Sequence, residues 1–223
     1  MTSMGHNIAA LIPAAGKGER LGLGPKPLLR LGDRALIEIL LDTLEPLVDR
    51  IYITAPKEYL GKFQDLVGSR AEILIGGGTR QESIEIMLLA CHAELVLVQD
   101  ASMPFVSRSL CTEVLGAASR DGAAGAFLEP VVPAGYAFQG RIVSRWARDH
   151  ARLFQSPQGF SRSCLETAKA CCAGRGYQSI ADMVIKAGFA MTEVPGHAEN
   201  MKITTPLDWL IAERVIAPML GMT

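Results

Sequence analysis

Short runs that are apolar on both faces, separated by helix-length amphipathic stretches, constrain this chain more than any other feature. Residues 8–12 (Ile-Ala-Ala-Leu-Ile) and 94–99, with Leu95, Val96, Leu97 and Val98 at their centre, offer no polar side to water. Such strands need helices over both faces of their sheet, and sheets covered in that way are mostly parallel. Further strands are read at 48–54, 71–75, 125–130 and 191–194. Apolar residues at helical spacing, as in Leu36, Ile37, Ile39, Leu40 and Leu44, mark helices at 35–47, 59–67, 81–92, 107–120, 161–173, 180–187 and 206–217. The alternation predicts an α/β fold, a doubly wound and mostly parallel sheet. Between 131 and 152 the pattern loosens around Pro133, Gly135 and Gly140, and 135–143 reads as a hairpin arm turning at Gln139 and Gly140. The chain of 223 residues reads as one domain, 1–223, with this arm inserted at about 131–148.

The first strand opens into Pro13-Ala14-Ala15-Gly16-Lys17-Gly18-Glu19-Arg20-Leu21-Gly22, followed by Pro25-Lys26-Pro27. Small residues let a polyanion approach bare backbone N–H groups, and Lys17, Arg20 and Lys26 add three positive charges. A nucleoside triphosphate best explains this combination. The loop stands at the carboxyl end of the strand, where open α/β sheets bind ligands. It is not a dinucleotide fingerprint: Gly22 follows Gly18 by four positions, and the second strand ends in Thr54-Ala55-Pro56 rather than an acid. The net charge of −1 argues against nucleic acid or an anionic membrane as partner, so the positive loop is aimed at a small anion.

Five cysteines without CxxC spacing suggest reduced thiols and a cytoplasmic location rather than zinc or disulfides. No apolar run reaches the ~18 residues of a membrane span, and 1–7 is short and polar, unlike a signal peptide.

Three later segments carry chemistry. Gly76-Gly77-Gly78-Thr79-Arg80-Gln81-Glu82-Ser83 opens a helix after the third strand, and suits a nucleobase lying against main chain beside Ser83. Asp100 stands at the exit of the strand 94–99, where a carboxylate can help hold Mg²⁺ on phosphates. Near the C-terminus, Thr205 is placed to N-cap a helix with Pro206 at its first position and Asp208 at its third, while Glu199 and Lys202 just before it are available for chemistry. Arg145, Arg148 and Arg152 are at helical spacing and read as a basic face, or as a site for an anionic second substrate together with 155–158.

In order, PAAGKGERLG, PK, GGGTRQES, DASMPF, QSPQGF and NMKITTPLD resemble the 4-diphosphocytidyl-2-C-methylerythritol synthase family, the cytidylyltransferases of non-mevalonate isoprenoid biosynthesis. The resemblance implies a Rossmann-like nucleotidyltransferase fold, CTP, Mg²⁺ or another divalent cation, a phosphorylated polyol acceptor (2-C-methyl-D-erythritol 4-phosphate), pyrophosphate release, and a homodimer held by an exchanged β-arm. It maps the triphosphate loop to Ala14, Ala15, Gly16, Gly18, Arg20 and Lys26, the base to Gly77 and Ser83, and the ribose and metal region to Asp100 and Ala101. Lys202 matches the C-terminal catalytic lysine, and Arg148 and Ser156 fall where the family holds the acceptor phosphate.

The acceptor side departs from the family. Met103 replaces an arginine, Gln99 a histidine, and Pro133-Ala134 an Asp-Thr pair; Gln178-Ser179-Ile180-Ala181 stands for Thr-Asp-Asp/Glu-Ala, Pro27-Leu28 for Gln-Tyr, and Glu199 for the commoner Asp. Ribitol phosphate or a phosphonate is therefore an alternative acceptor. Base preference separates the CTP reading from relatives that use GTP, UTP or dTTP, and turnover separates it from a nucleotide-sensing domain without activity.

Overall fold

The computed structural model describes residues 7–16, 18, 22–173 and 177–221. Lys17 and Arg20 lie outside the described residues. The strands in chain order are β1 (Ile8–Pro13), β2 (Arg30–Leu31), β3 (Arg34–Ala35), β4 (Arg50–Ala55), β5 (Glu72–Ile75), β6 (Leu95–Val98), β7 (Ala123–Leu128), β8 (Gly135–Phe138), β9 (Arg141–Arg145), β10 (Leu153–Ser161) and β11 (Thr192–Pro195). The helices are α1 (Leu36–Leu44), α2 (Leu60–Val67), α3 (Arg80–Ala90), α4 (Arg108–Asp121), α5 (Arg162–Cys171), α6 (Ile180–Lys186), α7 (Pro206–Ile211) and α8 (Ala217–Met219).

Seven of the strands form one sheet in the order β11-β7-β10-β6-β1-β4-β5. All its pairings are parallel except those of β10, which runs antiparallel to both β6 and β7. The period of two along β1 divides the core. Ile8, Ala10 and Ile12 face a layer containing Ile37, Leu40, Phe63, Leu110 and Val114 from α1, α2 and α4. Ala9 and Leu11 face Ile84 and Met87 of α3, Cys164 and Leu165 of α5, and Met183 and Val184 of α6. Both faces of β1 and β6 are thus sealed, as their uninterrupted apolar sequence requires. A third cluster seats the C-terminal helices on Leu31, Leu36, Ile39 and Phe105.

Four features differ from the sequence reading. Strand β10 was not expected, because Ser156, Pro157 and Gln158 break its alternation and a proline argues against an interior strand. The pairing to β7 shifts register between Gln155 and Gln158, so Pro157 sits where the ladder is interrupted and no donor is needed. Strand β7 begins two residues earlier than read, since Ala123 and Ala124 are buried in the sheet despite their weak strand propensity. Arg145, Arg148 and Arg152 do not share a helix face: Arg145 ends β9, Arg148 starts a 3-10 turn, and Arg152 precedes β10. The last helix runs without a gap from Pro206 to Met219 but changes pitch, with a π-helical segment at Ala212–Ile216 between α7 and α8.

The arm is a two-stranded antiparallel ribbon, β8 with β9, turning at Gln139 and Gly140. Its residues are exposed throughout, including Tyr136, Phe138, Ile142, Val143 and Trp146. Because β10 is antiparallel, the end of β7 and the start of β10 lie at the same edge of the sheet, paired at Leu128 and Leu153. The arm therefore springs from the edge at which β1, β4 and β6 end.

Candidate active site

At that carboxyl edge is a cleft of about 640 Å³. Three chain exits build it. The ladder continues one residue past β1 and β5 on either side of β4, where Ala14 N donates to Thr54 O (3.0 Å) and Gly76 N to Ala55 O (3.0 Å). The first loop and the third-strand loop are thereby brought together. A Cβ on Gly76 would stand 2.1 Å from the Cβ of Ala15, so this contact requires glycine. Gly18, with φ at +71°, lies so close to the carbonyl of Gly24 that a Cβ would meet its oxygen at 1.9 Å. Close-packed main chain of this kind leaves peptide groups, rather than side chains, facing the cleft.

Ala14, Ala15, Gly16, Gly18, Lys26, Gly77, Ser83, Asp100, Ala101 and Lys202 all line it, so ten of the residues singled out in the sequence come together. The hydroxyl of Ser83 accepts from Gly77 N (3.1 Å) and donates to Thr79 O (3.0 Å). Ser83 is buried, and it shapes the glycine loop as well as bordering the cleft. Glu82 does the same from the outside, accepting from Gly78 N at 2.7 Å.

The electrostatic centre is Asp100, whose side chain is only 13% exposed. One carboxylate oxygen accepts from Arg80 Nε (2.9 Å) and Nη2 (2.6 Å), and the other from Lys202 Nζ (2.7 Å). Burial acts to raise its pKa, but the charges and hydrogen bonds of Arg80 and Lys202 outweigh it and hold the carboxyl below its ordinary value. Asp100 is therefore an anion across the neutral range. Arg80 was missed as a site residue: it lies inside the quoted GGGTRQES motif, yet no local spacing links position 80 to position 100.

Long-range hydrogen bonds fasten the segment that carries Lys202 to this centre. Ile203 N donates to Ser102 O (2.8 Å), and Lys26 Nζ donates to Ile203 O (2.8 Å). Asn200 Nδ2 donates to Ser156 O (2.7 Å), and Gln155 Nε2 to the carbonyls of His197 (3.0 Å) and Asn200 (3.1 Å). Lys26 is thus bonded to the residue that follows Lys202, and both lysines border the cleft.

Arg148 and Ser156 do not line the cleft. Arg148 is exposed at the base of the arm. Ser156 is buried behind Asp100; its hydroxyl accepts from Asp100 N (3.1 Å) and donates to Met103 Sδ (3.2 Å). Met103 is itself buried, so the residue that stands in the arginine's place faces the core rather than a ligand. Gln99 is fully buried and donates to Met103 O (2.8 Å), which fixes the same turn. Glu199 is exposed and borders no part of the cleft.

Among the described residues no three His, Cys, Asp or Glu side chains gather as a metal cage. A single carboxylate at the border of this cleft suits Mg²⁺, which keeps waters and substrate phosphates as its other ligands. No described helix is long and apolar enough to cross a membrane.

Residues 8–217 match the family described as 2-C-methyl-D-erythritol 4-phosphate cytidylyltransferase. The chain is 40% identical over 213 residues to the enzyme of that name from Thermus thermophilus, covering 92% of this chain and 95% of the relative. It is 37% identical to the one from Deinococcus radiodurans, covering 92% and 88%. The crystal structure of the Thermus thermophilus protein superposes with a TM-score of 0.76 at 34% identity, covering 94% of this chain and 98% of that one.

Proposed function

The chain belongs to the 2-C-methyl-D-erythritol 4-phosphate cytidylyltransferase family, and from that membership we infer that it transfers CMP from CTP to 2-C-methyl-D-erythritol 4-phosphate in isoprenoid biosynthesis, releasing pyrophosphate. The observation that carries the reading to these residues is the convergence of Lys26, Lys202, Arg80 and Asp100 on a cleft walled by glycine-rich main chain.

An oxygen of the acceptor phosphate attacks the α-phosphorus of CTP in line with the departing pyrophosphate. The acceptor is already anionic near neutral pH, so no general base is required. The difficulty is the approach of two anions, and catalysis is positioning together with charge stabilisation. The backbone of Ala14, Ala15, Gly16 and Gly18 receives the triphosphate, with Arg20 from the same loop. Lys26 and Lys202, which both border the cleft, stabilise charge on the phosphoryl oxygens. Gly77, Ser83 and Ala101 border the nucleoside. A divalent cation, Mg²⁺ in this reading, would be held by Asp100 and would neutralise charge on the phosphates.

On the same reading the chain is a single nucleotidyltransferase unit, cytoplasmic and homodimeric. Its five cysteines are free thiols, which supports a reducing compartment. An isolated hairpin is marginal in water, and the apolar residues on this one favour a second copy as their cover. Arg148 and Ser156 are kept as acceptor-side residues. Arg148 stands at the base of the arm, where exchange between copies would bring it to a cleft, and Ser156 acts by setting the Asp100 turn.

The deciding experiment is pyrophosphate release with CTP and Mg²⁺, with 2-C-methyl-D-erythritol 4-phosphate and ribitol phosphate as parallel acceptors. Turnover is expected with the former, and Lys202→Ala should lower kcat by ~10²–10³-fold, the size of losing one preorganised charge donor. Turnover with ribitol phosphate alone would overturn the acceptor, and an unimpaired Lys202→Ala would overturn the assignment of the site.

A further inference from the structure

Arg80 has no part in the mechanism above, yet among the described residues it is the guanidinium that binds the catalytic carboxylate. Its Nε and Nη2 both bind one oxygen of Asp100, while Lys202 takes the other. Two cations, one at the start of α3 and one just before α7, therefore bind both oxygens of the carboxylate. A bare divalent ion has to compete with both for a single negative charge. Displacing one of them lowers that cost.

The anchoring of the two differs. Lys202 sits on a segment tied down on both sides, through Asn200 to Ser156, through Ile203 N to Ser102, and through Ile203 O to Lys26. Arg80 is the first residue of α3, its side chain is 38% exposed, and it borders the cleft next to Gly77, Gly78 and Thr79. Its long side chain can turn from Asp100 into the cleft without moving main chain.

We propose that Arg80 is a resident counter-ion that closes Asp100 to bare divalent cations, so that the ion is accepted as a complex with the nucleoside triphosphate, whose phosphates take the guanidinium in exchange. This rests on the reading of Asp100 as the metal-holding residue. It makes Arg80 a positioning residue that imposes order on binding: nucleotide and ion enter together, and the carboxylate stays charged and oriented beforehand.

The test measures binding rather than turnover. Mn²⁺ is titrated against the protein and free ion is read by electron paramagnetic resonance, first without nucleotide and then with CTP. The wild-type protein should bind Mn²⁺ weakly without CTP. Arg80→Gln should bind Mn²⁺ alone about three- to tenfold more tightly, the scale of removing one partly exposed competing ion pair. The same variant should bind Mn²⁺ with CTP several-fold more weakly than wild type, while Arg80→Lys restores both values toward wild type. A purely structural role for Arg80 would weaken both affinities together. If Arg80→Gln binds bare Mn²⁺ no more tightly than wild type, while Asp100→Asn still weakens Mn²⁺ binding with CTP, the counter-ion role is overturned and the metal reading stands. If Asp100→Asn leaves Mn²⁺ binding with CTP unchanged, the metal reading falls as well.

Discussion

Asp100 is the described carboxylate at which burial and two opposing cations meet inside the cleft. Its pKa is depressed because Arg80 and Lys202 outweigh its burial. A carboxyl whose folded pKa lies below its unfolded value stabilises the protein fully above that unfolded value, about 3.9, and loses the contribution as pH falls through the folded one. The pH–rate profile should therefore show no loss attributable to Asp100 between neutrality and about pH 5. Asp100→Asn should lower stability by about 1–2 kcal/mol at pH 6, between the values for exposed and for buried charge-assisted bonds. Thermal melting at pH 6 and at pH 3 checks this: the gap between wild type and variant should narrow in acid. The same residue shows what a sequence can carry. Position 100 was legible as a chemical residue, because it follows a strand with no polar face. Its partner Arg80 was not, because ion pairing between the start of a helix and a distant strand exit leaves no trace in local spacing.

At the level of elements, the start of α7 links helix capping to catalysis. Thr205 Oγ1 accepts from Asp208 N (3.2 Å), and Asp208 accepts from Thr204 N (2.8 Å), Thr205 N (2.7 Å) and Thr204 Oγ1 (2.6 Å). Burial works against the charge of Asp208, but these hydrogen bonds prevail and lower its pKa. The cap begins two residues after Lys202, and so it also fixes where that lysine starts. Asp208→Ala should cost about 1–2 kcal/mol, the upper range for a cap, in thermal or urea denaturation. It should also lower kcat more than it weakens CTP binding, since the nucleotide loops are built elsewhere. This cap was fully readable from Thr205, Pro206 and Asp208. So were the strands β1, β4 and β6, whose apolar runs have no competing signal. Strand β10 was hidden by Pro157 and by Gln155 and Ser156, which are buried through hydrogen bonds to distant segments, Gln155 to the carbonyls of His197 and Asn200 and Ser156 to Asp100 N and Met103 Sδ, rather than by apolar character.

For the whole molecule, the reversed strand β10 decides where the arm stands. In a fully parallel sheet the segment after β7 would cross to the other edge before pairing; here it returns at the edge of entry. The proposed dimer is tested by sedimentation of wild type and of Ile142→Asp, a residue 74% exposed on the arm. Wild type should sediment as a dimer and the variant as a monomer that still binds CTP, because no arm residue lines the cleft. A monomeric wild type would remove the arm from its proposed role.

The pairing of Leu128 with Leu153 also makes the arm a cassette. Whatever lies between those two residues is closed off by the sheet, and doubling its length would add only about 0.6 kcal/mol of closure entropy. Arms can thus be exchanged between relatives, lengthened or rewritten while the register of the sheet and the nucleotide loops stay as they are. A lineage, or an engineer, can alter what the arm touches without redesigning the machinery that activates CTP.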